Sequence, residues 1–150
     1  MRVKAICILL LLFGAQFCSA NDDFVTLRET VKKSVADSKT AFTFYETMKA
    51  LDTKNKPILI GYKAMSELLL CKHVISPISK LSHFKRGRVL LEQAISEDMG
   101  NAELRFYRYC TQLNVPGMLN YSGNLKEDKA FLLSFLAAQS KKPKKDVDLY

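Results

Sequence analysis

The segment from Ile58 to Ile75 is apolar around most of a helical circumference, with Leu59, Ile60, Tyr62, Ala64, Met65, Leu68, Leu69, Cys71 and Val74 leaving only a thin polar strip. A surface helix needs one apolar stripe, whereas a helix apolar on nearly every side has to be enclosed by others. The rest of the chain must therefore be built around this segment. Asn55-Lys56-Pro57 opens it, and proline suits a first turn because its missing N–H would have been unpaired there anyway.

Helical spacing continues on both sides, and no stretch alternates with the period of two that a half-buried strand requires. Phe24, Leu27, Val31 and Val35 form one stripe behind Asp22 and Asp23, which are N-cap candidates. Ser38 is a cap candidate for a second helix carrying Ala41, Phe44, Tyr45, Met48 and Leu51 on one face, ending at Asp52-Thr53-Lys54-Asn55. No glycine or proline separates these two helices, so one long kinked helix is the alternative. After the central segment, Ser76-Pro77 repeats the cap-then-proline start, and Ile78, Leu81, Phe84, Gly87, Leu91, Ala94 and Ile95 trace an inner face down to Glu97. Beyond the turn Asp98-Met99-Gly100-Asn101, the spacing predicts a helix that buries Ala102, Phe106, Tyr109, Cys110 and Leu113 on its main stripe, touches a second neighbour through Leu104 and Tyr107, and exposes only Arg105, Arg108 and Gln112. Asn114-Val115-Pro116-Gly117 ends it, and a last helix is expected over Glu127 to Gln139. The fold class expected is all-α, with five or six helices in antiparallel pairs, arranged as a tetratricopeptide-like αα superhelix or an irregular bundle.

Residues 1–20 read differently. Arg2 and Lys4 precede the apolar run Ile6 to Phe13, and Cys18-Ser19-Ala20 closes it with small residues, the three zones of a cleaved secretory signal peptide. The run is too short for a membrane span. Lipidation at Cys18 would demand a small residue before the cysteine and an aliphatic one three before it, but Ala15-Gln16-Phe17 stands there. The mature chain is thus expected to begin at Asn21, without a transmembrane helix, in a periplasmic or secreted location. Removing the two cations of the signal takes the formal charge from +8 to +6. Residues 21–140 form one helical domain, and 141–150, with Lys141-Lys142-Pro143-Lys144-Lys145, a basic flexible tail.

Leu90-Leu91-Glu92-Gln93-Ala94-Ile95-Ser96-Glu97-Asp98 followed by Asn101-Ala102-Glu103-Leu104-Arg105 resembles the boundary between two tetratricopeptide repeats, and Gly61-Tyr62-Lys63-Ala64 resembles the small-aromatic packing signature of such a repeat's first helix. One degenerate repeat and half of another can be placed. A wider pattern, including Phe44-Tyr45, Pro57, Lys72-His73, Pro77, Phe84, Tyr121 and Asp128-Lys129, is similar to a group of small exported or envelope-associated bacterial proteins. That resemblance implies a bacterial source and an α-helical fold, and no activity.

The chemistry-bearing residues point to binding before catalysis. There is no Gly-x-Ser-x-Gly elbow, phosphate-cradling glycine loop or paired-acid motif, and no cofactor is indicated. Cys71 and Cys110 remain after processing and are either a possible disulfide or two buried free thiols. His73 and His83 lack metal-ligand spacing, and His73 is placed to meet the last carbonyls of its own helix. Lys80, Lys85, Arg86, Arg88, Arg105 and Arg108 offer an anion-attracting surface, but the aromatics do not interleave with them as a base-stacking platform would, which argues against nucleic acid. Recognition is expected to rest on Glu103, Arg105, Arg108 and Gln112, with Lys63 and Asp128 beside them and Tyr62, Tyr107 and Tyr109 supplying contact area. The competing reading has Arg105 or Arg108 pairing with Asp128 or Glu103 inside the fold. The function expected is a helical binding or scaffold domain for a protein or an anionic envelope component. The alternatives are an envelope hydrolase using the carboxylate of Glu103 or Glu92, and a purely structural, self-associating subunit.

Overall fold

The computed structural model describes residues 20–141; the expected signal segment as far as Ser19, with Cys18, and the basic tail beyond Lys141 lie outside them. Six α-helices follow one another among the described residues: α1 Ala20–Ser34, α2 Ser38–Ala50, α3 Pro57–His73, α4 Pro77–Glu97, α5 Ala102–Asn114 and α6 Leu125–Ser140, with a short 3-10 turn Gly117–Leu119 between the last two. The expected all-α class is what the chain adopts. None of these helices is long and apolar enough to cross a membrane.

Local chemistry sets the breaks. α1 and α2 are separate because Asp37 is extended (φ −106°, ψ 111°) and its carboxylate accepts from the Lys39 and Thr40 backbone N–H groups at 3.3 and 3.0 Å. Such a cap contributes about 1 kcal/mol. The cap is thus Asp37, and Ser38 is the first helical residue. At the other end of α1 the chain is already helical at Ala20, so Asp22 and Asp23 lie inside the helix. Pro57 and Pro77 both occupy first-turn positions as expected. Asn101 caps α5 by accepting from Glu103 and Leu104 N–H, at 3.1 and 3.2 Å.

α3 is the central helix, touching α1, α2, α4 and α5. Its Ile60, Tyr62, Ala64, Met65 and Leu69 join Phe44 and Met48 of α2, Leu91, Ala94 and Ile95 of α4, and Leu104 and Tyr107 of α5 in one core. Two glycines let neighbouring helices approach. A Cβ on Gly61 would collide with the Leu104 side chain, and one on Gly87 would fall 2.6 Å from Leu68 Cγ and 3.0 Å from the Ala64 carbonyl oxygen. The small residue of the Gly61-Tyr62 pair therefore serves the contact of α3 with α5. In contrast to the inner helices, α6 packs against α5 alone among the described helices.

Several side chains depart from the expected faces. Ile78 and Leu81 begin α4 exposed, because the inner face is occupied only from Phe84 onward. Val35 lies past the end of α1 and is also exposed. The largest departure is α5, where Leu104 and Tyr107 are buried as expected but Arg108 and Gln112 are buried with them, while Phe106 and Leu113 stand 50% and 57% exposed. The helix is turned by roughly half a rotation from the orientation that its apolar stripe predicts.

Candidate functional site

Most of the residues singled out in the sequence, all but Lys63 and Tyr109 of the recognition set, fall into two hydrogen-bonded networks, both centred on α5. In the first, the cap at Asn101 places Glu103 in the opening turn of α5, facing α1 and α3. The Glu103 carboxylate accepts from Arg28 Nε at 3.1 Å and Arg28 Nη2 at 2.8 Å, from the Tyr107 hydroxyl at 2.8 Å, and from the Tyr62 hydroxyl. The Tyr62 and Tyr107 rings meet edge to face with centroids 5.9 Å apart, and Phe24 stacks on Tyr62. Burial alone would raise the Glu103 carboxyl, but the bonds from Arg28 and the two phenols prevail and hold it below its ordinary range. Burial and the same carboxylate push both phenols well above theirs.

The second network fixes α6. Arg108 donates in a two-point fork to Asp128, Nε to Oδ2 and Nη2 to Oδ1, both at 2.7 Å, and its Nη1 reaches Glu92 at 2.9 Å. Glu92 in turn accepts from the Tyr121 hydroxyl at 2.5 Å. Arg108 is 5% exposed and Asp128 0%. Arg105 donates from Nε to the Met99 carbonyl oxygen at 2.9 Å and from Nη1 to Glu127 and Asp128 at 2.8 and 3.2 Å, with its guanidinium 4.4 Å above the Phe131 ring. Gln112 and Asn124 exchange two bonds of 3.2 Å. No buried side-chain nitrogen or oxygen among the described residues lacks a partner.

These networks correct the recognition strip. Arg105, Arg108, Gln112 and Asp128 are brought together, but engaged with one another and with Glu92, Asn124 and Glu127, the internal pairing that was the competing reading, and Tyr62 and Tyr107 are buried as well. Lys63 lies apart, on a shallow groove of about 400 Å³ that it shares with Asp52, Asn55, Gln93 and Glu97. The carboxylates of the hydrolase alternative are committed too: Glu92 bridges Arg108 and Tyr121, and a Glu103 held ionised is a poor proton donor.

Sequence reasoning overlooked Arg28, which meets Glu103 across 75 positions, and the roles of Glu67, His83 and Arg86. Glu67, buried on α3, lies 2.6 Å from His83 Nδ1 and accepts from Arg86 Nε at 2.9 Å, which pins α3 to α4. The spacing of Glu67 on an otherwise apolar helix was the one available signal, since an enclosed carboxylate needs a cation. His73 meets a helix end, but not its own: its Nε2 lies 2.7 Å from the carbonyl oxygen of Ser34, the last residue of α1. Cys71 and Cys110 are free, so the possible disulfide is not formed, and burial pushes both thiols up. No group of three or more His, Cys, Asp or Glu side chains among the described residues is placed to hold a metal ion.

What remains open to a partner is the side of α5 opposite its networks. Phe106 and Leu113 are exposed there and Tyr109 is half-buried, while α6 leaves Leu133, Phe135 and Leu136 exposed. No family model matches the chain, and no curated protein or solved structure matches it either.

Proposed function

We propose that this protein is a small exported binding module that recognises a protein partner through the outer face of α5. The inversion of α5 carries the reading. Left to hydrophobic burial alone, Phe106, Tyr109 and Leu113 would face the core, each gaining about 25 cal/mol per Å² removed from water. Instead the inward side holds Leu104 and Tyr107 together with Arg108 and Gln112, which are matched bond for bond by Asp128, Glu92 and Asn124. An apolar face kept outward by a satisfied polar network is the arrangement that marks an interaction surface. Aromatic side chains such as Phe106 and Tyr109 are the kind that protein interfaces concentrate. An anionic ligand at this face has less support, because the charges of Arg105 and Arg108 are taken up internally. Export rests on the N-terminal sequence alone.

The test compares the protein, purified as its cell processes it, with Phe106→Asp/Leu113→Asp, after circular dichroism and melting show both equally folded. An envelope protein retained by the first and lost by the second, and then bound again when purified alone, supports the reading. Equal retention by the variant removes this face from the site. If sedimentation shows the parent self-associating and the variant monomeric, the face is a contact between copies, the structural-subunit alternative.

A further inference from the structure

A second set of exposed apolar side chains lies at the opposite end of α3 from Gly61, where the α1–α2 and α3–α4 connections meet. Two bonds hold these connections together: His73 Nε2 lies 2.7 Å from the Ser34 carbonyl oxygen, and Lys72 Nζ donates to the Val35 carbonyl oxygen at 2.7 Å. From this end Ile75 and Ile78 project 94% and 83% exposed. Their position is set by a cap, since the Ser76 hydroxyl between them accepts from Ser79 N–H at 3.4 Å and Pro77 fixes the first turn of α4. Beside Ile75 runs an open groove of about 530 Å³ shared with Phe42, Leu70 and Val74. Lys39 lines the groove, and Lys33, Lys72 and Lys80 belong to the same end of the fold. The carboxylate amid them, Asp37, is engaged in capping α2.

We propose that this end of the molecule docks on an anionic lipid surface, with Ile75 and Ile78 entering the boundary between headgroups and acyl chains while Lys33, Lys39, Lys72 and Lys80 lie over the phosphates. The residue types decide between a bilayer and a protein. Protein interfaces favour aromatics and arginine and are poor in lysine, and they require a matching hollow. Here the two most exposed groups, Ile75 and Ile78, are aliphatic and the cations are all lysine, with the aromatic Phe42 lying in the groove beside them. A bilayer takes in projecting aliphatic side chains without a preformed hollow, and lysine stems reach past apolar neighbours to keep their ammonium groups at the headgroups. Since no described helix is fit to span, the protein would lie on the surface. The proposal is independent of the partner face on α5.

Sedimentation with vesicles tests it, using the protein as its cell processes it, with the same N-terminus in every variant established by mass spectrometry. The protein is expected to pellet with phosphatidylcholine vesicles containing phosphatidylglycerol and to stay in solution with phosphatidylcholine alone, and to be released by high salt. Ile75→Ser/Ile78→Ser should weaken partitioning about ten-fold or more, and Lys39→Gln and Lys80→Gln about five-fold each. The chain contains no tryptophan, so Ile75→Trp gives a single reporter whose emission should shift to the blue on binding. Failure of the parent to pellet with the anionic vesicles overturns the proposal. So does undiminished binding by the double isoleucine variant, and so does retention on soluble polyglutamate without binding to vesicles, which would assign the surface to an acidic protein.

Discussion

At the scale of single residues, the buried charges decide which substitutions the fold can bear. Removing Arg108 takes both fork bonds from the fully buried Asp128 and leaves it only Arg105 at 3.2 Å, and breaking such a buried pair costs about 3–5 kcal/mol. Arg108→Ala should lower the urea midpoint sharply; a midpoint within experimental error of the parent would show that the fork contributes nothing net. Glu103 adds a dependence on pH. Its carboxyl is held below the ordinary 4.5 in the folded chain, so its contribution is present above that pH and is lost as pH falls through the folded value. Glu103→Gln should therefore flatten the acid limb of the stability curve. The phenols act at the other limb: Tyr62, Tyr107 and Tyr121 resist ionisation when folded, so stability is full below about 10 and falls once the unfolded chain's phenols begin to ionise. Ultraviolet titration should find these three ionising only as the protein unfolds, and a smooth titration of all six tyrosines with the fold intact would contradict this.

At the scale of helices, contact between α3 and α4 depends on a missing side chain. Alanine is the better helix former than glycine by about 1 kcal/mol, yet a methyl at Gly87 meets Leu68 Cγ and the fixed carbonyl of Ala64. Overpacking of this kind costs about 1–3 kcal/mol, so Gly87→Ala should lower the melting temperature despite its propensity; a rise would mean that the two helices can part freely. α6 is held differently, by charge pairs to one neighbouring helix. Its amides should exchange hydrogen well before those of α3, and exchange in step with α3 would place both in one cooperative unit.

At the scale of the molecule, the all-α class and the centrality of α3 were legible because hydrophobic periodicity reports burial directly. The Pro57 and Pro77 starts were legible from backbone chemistry alone. The orientation of α5 was not. Its main apolar stripe faces outward, because burial of Leu104 and Tyr107 combines with the pairing of Arg108 with Asp128 and of Glu103 with Arg28 on the other side. The pairing of Arg108 with Asp128, 20 positions on, stood among the sequence readings as the alternative to recognition, but Arg28 lies 75 positions from Glu103, beyond any local pattern. Free Cys71 and Cys110 give a last expectation for the whole fold: a reductant should leave the melting temperature unchanged, and a drop would reveal a bridge between them.

Because α6 rests on α5 alone among the described helices, the fold has unequal mechanical strength along its length. Pulled from its C-terminal end, the chain would meet first a latch of side-chain forks, which parts once its few bonds are drawn out together. Only then would the load reach α3, whose neighbours on several sides must be dislodged at once. Stretching between two anchored ends should thus record a short early lengthening, reversible on relaxation, before the main rupture.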